Sequence, residues 1–390
     1  MKVVILGSSY PLRGGLAAYN ERIAREYIAE GHEVIIYTFS LQYPDFLFPG
    51  QTQYSDQPAP ADLDIRVKVN SINPFNWFKV GREIKALNAD LMIVKFWLPF
   101  MAPCLGTISR IVKSNKKTKI ISIIDNIIPH EKRIGDFWLA KYFVGSVHGF
   151  VVMSKSVLND LDLFDKTKPK AFSPHPLYDN FGERVRKAEA IKKLGLEING
   201  HYILFFGFIR DYKGLDLLLE AFADERFKNS YIELIVAGEF YSDPKPYHDL
   251  IKKYGLKKKV ILRTDFIPDD MVRYYFCAAD LVVQPYKHAT QSGVTQICYH
   301  FNRPMLVTNV GGLPEIVPHD VVGYVAEPNV DSIVFYMDKF FKEHKEYTFV
   351  DNIKKEKAKY AWAEMLESVR KVARIPKKRG RKPKEKALNG

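Results

Sequence analysis

Arg210 and Lys213 stand three residues apart in the segment Phe205-Phe206-Gly207-Phe208-Ile209-Arg210-Asp211-Tyr212-Lys213-Gly214-Leu215-Asp216. Two cations bracketed by Gly207 and Gly214 suit a diphosphate. Arg supplies forked hydrogen bonds, Lys a compact charge, and the glycines bare backbone N–H groups. A solvated basic turn is the competing reading. Ser292-Gly293 precedes Val294-Thr295-Gln296 and an apolar stretch. That pattern offers unpaired N–H groups and the positive end of a helix dipole to a phosphate. A plain N-cap would look the same. Gly311-Gly312-Leu313-Pro314-Glu315 is a third glycine loop, with an ordinary turn before a helix at Pro314 as the alternative.

The N-terminal half carries two further candidates. Gly14-Gly15 precedes a helix start, where it either admits a phosphate or simply makes a tight turn. Asp125-Asn126-Ile127-Ile128-Pro129-His130-Glu131 gathers four polar side chains in seven residues after an apolar run. Asp125 and His130 are therefore site candidates.

These loops need a scaffold that delivers them to one edge. Val3–Leu6, a glycine loop, a helical apolar period from Leu16 to Ile28, and Val34–Phe39 make a βαβ unit. Further strands are predicted at 90–96, 119–124 and 149–153. Ser173-Pro174-His175-Pro176 cannot be helical and reads as a linker, followed by a charged helix over 183–194. A second series follows: strands at 202–206, 232–237, 260–263, 281–284, 305–308 and 324–326, with a helix at 215–222. Residues 352–372 read as one amphipathic helix. The expected fold is α/β, two doubly wound Rossmann-like domains facing a cleft, with ligands beyond the carboxyl ends of the strands. The expected divisions are 1–173, 174–350, a helix over 351–373, and a disordered tail over 374–390.

Composition agrees with this division. A chain of 390 residues exceeds one ordinary core, and 47% hydrophobic with 26% charged residues excludes a mainly disordered chain. Cys104, Cys277 and Cys298 have no zinc or disulfide spacing and suit burial in a reducing compartment. No stretch has the length of a membrane span, and Val3–Leu6 is too short for a signal-peptide core. The net charge is +13, but residues 374–390 hold eight cations and one anion, so the body is only mildly basic.

Taken in order, Gly14-Gly15, Gly31-His32-Glu33-Val34, Arg210 with Lys213-Gly214, Ala237-Gly238-Glu239, Ala279-Asp280, Pro285-Tyr286 and Gly311-Gly312-Leu313-Pro314-Glu315 resemble the retaining glycosyltransferases of family 4. The likeness runs from about residue 1 to 372. His175-Pro176-Leu177-Tyr178-Asp179-Asn180-Phe181-Gly182 is similar to the hinge segment of one bacterial branch. The resemblance implies GT-B architecture, a nucleotide-sugar donor on the C-terminal domain, a glycan or lipid-linked acceptor on the N-terminal one, and a helix over 351–373 that crosses back to the N-terminal domain. It implies no metal and no cofactor, because protein groups hold the diphosphate. It adds Gly238 to Gly14, Gly15, Gly207, Ser292, Gly293, Thr295 and Gln296 as donor-binding residues. Arg210 and Lys213 would serve the leaving group, and Asp125 and His130 the acceptor. Two departures stand out. The family's glutamate pair is missing, since no Glu lies between Glu239 and Glu315. Asp125 also occupies the place of an acceptor-side His.

The tail segment Pro376-Lys377-Lys378-Arg379-Gly380-Arg381-Lys382-Pro383-Lys384 resembles an AT-hook whose core is interrupted by Lys382. An anionic membrane surface is the favoured partner, ahead of DNA or a purely solubilising role. The expectation is a cytoplasmic retaining glycosyltransferase of cell-surface polysaccharide or glycolipid synthesis, peripheral on the inner face of the membrane. The competing class is a degenerate GT-B binding protein tethered by its tail.

Overall fold

The computed structural model describes residues 1–44, 53–55, 58–129, 133–289 and 292–376. They form two compact units. The first contains Met1–Met153, Val157–Ser173 and the chain from Ala363. Its strands are β1 (Lys2–Leu6), β2 (Glu33–Leu41), β3 (Asp64–Asn70), β4 (Leu91–Phe96), β5 (Lys119–Ile124), β6 (Gly149–Val152) and β7 (Lys170–Phe172). They pair in parallel in the order β3-β2-β1-β4-β5-β6-β7. The second unit contains Ser154–Ser156 and Pro174–Trp362. Its strands are β8 (His201–Phe206), β9 (Ile232–Ala237), β10 (Val260–Arg263), β11 (Leu281–Gln284), β12 (Met305–Thr308) and β13 (Gly323–Ala326). They too are parallel, in the order β10-β9-β8-β11-β12-β13.

Both sheets change winding direction next to their first strand, at β1/β4 and β8/β11. The crossover loops there diverge and leave room beyond the strand ends. The central strands are near-continuous apolar runs because helices cover both faces. In the second unit, Leu204, Val282 and Val307 join one apolar layer, while Ile203, Val283 and Leu306 join the other.

Three sequence expectations need correction. β3 and β7 are additional strands; β3, Asp-Ile-Arg-Val-Lys-Val-Asn, lies at the sheet edge with half its side chains in water. The helix expected from 183 begins at Lys187. The single helix expected over 352–372 is two, Glu346–Glu356 and Trp362–Ala373, parted by a 3-10 turn and by Ala361 in extended backbone. The break is held by the linker segment. Leu177 N–H donates to the Tyr360 carbonyl at 3.0 Å, and the Trp362 indole donates to the Leu177 carbonyl at 2.9 Å. The return to the first unit thus starts at Ala363, not 351. There, buried Arg370 bonds Glu30 at 2.6 Å, at the end of the helix Gly15–Ala29. Most of the basic tail, 377–390, lies outside the described residues.

Candidate active site

In the second unit, β8 runs into Gly207, whose φ of +98° is a left-handed conformation that glycine adopts without strain. The chain then carries Arg210, a 3-10 turn over Asp211–Lys213, and Gly214 at φ +69° before the helix Leu215–Phe222. Glycine is obligatory at 214. A Cβ there would sit 1.9 Å from the Pro285 carbonyl oxygen. Gly238 is similarly constrained, since its Cβ would fall 2.5 Å from the Gly207 carbonyl oxygen. The loop after β9 is therefore packed directly on the loop after β8.

The electrostatics of this loop are unusual. Lys287 lies 2.9 Å from Asp211 and 2.9 Å from Asp216. A third cation thus occupies both carboxylates that flank the two candidates. Arg210 and Lys213 have no ion pair or hydrogen bond from their side chains to any described residue. The Arg210 guanidinium lies over the Tyr241 ring at 3.8 Å, which holds it flat without neutralising it. The Lys213 ammonium lies 5.8 Å from the Tyr286 ring centre and 3.1 Å from where a Gly207 Cβ would be. Burial, and then the charge of Arg210, push Lys213 down to about 8. A dianion placed against this pair would relieve both effects.

The helix Gly293–Phe301 starts beside them, with Val294 Cγ2 at 4.0 Å from the Gly207 Cβ position. Its Ser292 cap is fully committed. The hydroxyl donates to Gln284 Oε1 at 2.6 Å and accepts from Val294 N–H at 3.2 Å. Thr295 donates its hydroxyl back to the Ser292 carbonyl. These side chains build the helix start, so its first backbone N–H groups are what they can offer a ligand. A Cβ on Gly293 would lie 2.9 Å from the Tyr178 ring, so a side chain there would require that ring to shift. Gln296 is completely buried, and neither of its amide atoms has a partner among the described residues. Gln284 Nε2 is also buried and unpartnered among them.

In the first unit, Gly14 caps the helix Gly15–Ala29 at φ +100° with open space around it. Asp125 follows β5 and is paired at 2.7 Å with Lys95, a residue of β4 that is 1% exposed. The Lys95 ammonium also lies 3.7 Å from the Tyr19 ring centre. His130 lies outside the described residues.

Residues 186–358, within the second unit, match the family described as Glycosyl transferases group 1. An uncharacterized glycosyltransferase of Methanocaldococcus jannaschii is 25% identical over 397 residues, covering 96% of this chain and 98% of that protein. The chain is a glycosyltransferase. A lipopolysaccharide 1,2-N-acetylglucosaminetransferase of Salmonella typhimurium is 28% identical over 181 residues, 44% of this chain and 47% of that one. Among solved structures, Anabaena HepE in complex with UDP superposes with a TM-score of 0.72 at 15% identity, covering 96% of this chain and all of that one. The glycosyltransferase therefore has the GT-B fold, with two parallel α/β units.

Lys287, Tyr241 and Gln284 carry no signal in the sequence, because their roles depend on loops from different strands. Lys95 does carry one: it is the one charge in Leu-Met-Ile-Val-Lys-Phe, a run otherwise fit for complete burial. Among the described residues no cluster of three His, Cys, Asp or Glu side chains could hold a metal, and no helix is long and apolar enough to cross a membrane.

Proposed function

We propose that this glycosyltransferase moves a sugar from a nucleotide-sugar to a hydroxyl of a glycan or lipid-linked acceptor, with retention of anomeric configuration. The observation that carries this reading is the uncompensated pair Arg210 and Lys213. Lys287 has taken the nearby carboxylates, so the loop presents two cations with no ionic partner among the described residues, at the switch point of its sheet. A diphosphate supplies the missing charge. In the reaction the bond from the anomeric carbon to the diphosphate oxygen breaks, and a bond to the acceptor oxygen forms. The acceptor proton leaves with the nucleoside diphosphate. Arg210 and Lys213 stabilise the charge that grows on the departing oxygen, and such preorganised electrostatic stabilisation usually dominates the rate gain. Gly207, Gly238, Ser292, Gly293 and Thr295 bring backbone close to the phosphates, and Gln296 replaces part of what the absent glutamates would contact. Gly14 and Gly15 are further phosphate contacts. Asp125, with His130, serves the acceptor side. Protein groups alone hold the diphosphate, without metal.

The Salmonella relative's name supports an acceptor of the cell-surface glycan class, and the UDP in the HepE complex supports a nucleoside diphosphate on this fold. The basic residues 374–390 would hold the enzyme on an anionic inner membrane face. The test is nucleoside diphosphate release from a panel of nucleotide-sugars. Wild type should turn over at least one of them, and Arg210→Ala should lose roughly ten- to hundredfold, the worth of one charge-assisted bond. Equal rates in both proteins would remove the diphosphate assignment.

A further inference from the structure

Lys95 is the most buried cation among the described residues of the first unit, and the proposed reaction leaves it without a role. Its β4 neighbours Val94 and Phe96 point into an apolar layer, and strand alternation turns Lys95 to the opposite face. There it meets the helix Gly15–Ala29. Gly7 makes room for it: a Cβ at 7 would lie 3.1 Å from Lys95 Cβ and 2.6 Å from Asn20 Nδ2. Asn20 donates to the Ser8 carbonyl at 2.8 Å, while its Oδ1 is buried with no partner among the described residues. The cluster sits at the β1/β4 change of direction, where this fold class places ligands.

Asp125 is held from two sides. Its backbone N–H donates to the Phe96 carbonyl at 2.9 Å, and its Oδ1 accepts from the Lys95 ammonium at 2.7 Å. Its side chain keeps 21% exposure, against 2% for Lys95. Oδ2 takes no hydrogen bond from any described residue. A carboxylate with one oxygen pinned by a buried cation and the other open is set to accept from an incoming hydroxyl. An ion pair with no ligand would gain little from such placement, because burying two charges costs as much as their attraction returns.

We infer that Lys95 is a positioning residue: it fixes Asp125 so that Oδ2 accepts a hydrogen bond from a sugar hydroxyl of the acceptor. This rests on the proposed transfer reaction and extends it to the group that orients the nucleophile. Burial raises Asp125 and lowers Lys95, and each charge opposes the effect on the other. Among the described residues no other charge acts on either group; Tyr19 is the titratable ring packed on Lys95, and Glu21 on the same helix is bound to Ser9 and Tyr10. Removing Lys95 alone should therefore leave Asp125 protonated over a wider pH range.

The test uses full-length protein and octyl β-D-glucoside as the hydroxyl probe, followed by saturation-transfer NMR from pH 5 to 9. UDP affinity is measured beside it. Lys95→Met could fail to fold, because it strands a buried carboxylate, so the double variant Lys95→Met/Asp125→Asn is included. Wild type and Lys95→Arg should bind the probe. Lys95→Met should bind about tenfold more weakly and lose binding at a higher pH than wild type. The double variant should not bind detectably, while UDP affinity stays equal throughout. Probe binding by wild type and double variant alike, by neither, or with one unchanged pH profile overturns the assignment. Absence of UDP binding in every protein counts instead against the donor reading.

Discussion

Lys213→Met removes one of two uncompensated cations and leaves the loop backbone, Arg210 and the Lys287 bridges in place. A charge-assisted hydrogen bond to phosphate contributes about 1.5–3 kcal/mol, so affinity for a nucleoside diphosphate should fall by roughly ten- to hundredfold. The pH dependence is a sharper signature. Burial and Arg210 hold Lys213 at about 8 in the free enzyme, below its ordinary value. Only the protonated amine helps to bind a diphosphate, so binding should be strongest below pH 8 and weaken as pH rises through it. With a single group at about 8, affinity should drop about tenfold between pH 7 and pH 9. Bound diphosphate should raise the group again, so binding near pH 8 should take up protons. The sign for folding is opposite: a depressed lysine lowers stability while it is charged, so the free protein should gain stability as pH rises from below 8 toward 10. Calorimetric titration of UDP in two buffers of different ionisation enthalpy reads both affinity and proton uptake. Lys213→Met should show a flat profile. Wild-type affinity unchanged from pH 7 to 9, or proton uptake surviving in Lys213→Met, would refute the placement of the phosphate at this amine.

Three further outcomes follow from the same geometry. Gly214→Ala meets the Pro285 carbonyl at 1.9 Å and a left-handed backbone, so it should destabilise the second unit by at least about 2 kcal/mol, read as a lower denaturation midpoint; wild-type stability would contradict the close loop contact. Turnover should persist in excess EDTA, because protein cations are assigned the role a metal would play; loss that magnesium or manganese restores would overturn that. Deleting residues 377–390 should leave soluble-donor turnover intact and reduce co-sedimentation with anionic vesicles, most clearly at low salt, since the Debye length is about 8 Å at physiological ionic strength. AT-selective DNA binding by the full chain would assign the tail to DNA instead.

The fold is legible because central parallel strands are apolar runs, and runs such as Ile-Val-Lys-Phe and Ile-Ile-Ser-Ile-Ile tolerate one polar residue without losing the pattern. β3 is hidden because an edge strand in water alternates charges with apolar residues. The break at Ala361 is illegible for another reason: the apolar period continues across it, and the hydrogen bonds to Leu177 that hold it come from 183 residues earlier in the chain than Tyr360. The loop that carries Arg210 and Lys213 is legible as two cations between glycines. Their lack of a carboxylate partner is not, because Lys287 reaches Asp211 and Asp216 from the β11 loop. Asp125 is legible as a polar residue after a strand and Lys95 as the one charge in an apolar run; their pairing is not, because it joins the ends of two different strands.

The most direct test of the proposed transfer is a turnover assay with purified protein, a panel of nucleotide-sugars and octyl β-D-glucoside. Products should be followed by NMR, so that nucleoside diphosphate release and anomeric configuration are read together. Release is expected from at least one donor, with retention in the glycoside formed and loss of both on Arg210→Ala with Lys213→Met. A protein that binds nucleotide-sugars tightly, across the panel, and never releases the diphosphate would contradict the claim that Arg210 and Lys213 serve a departing group.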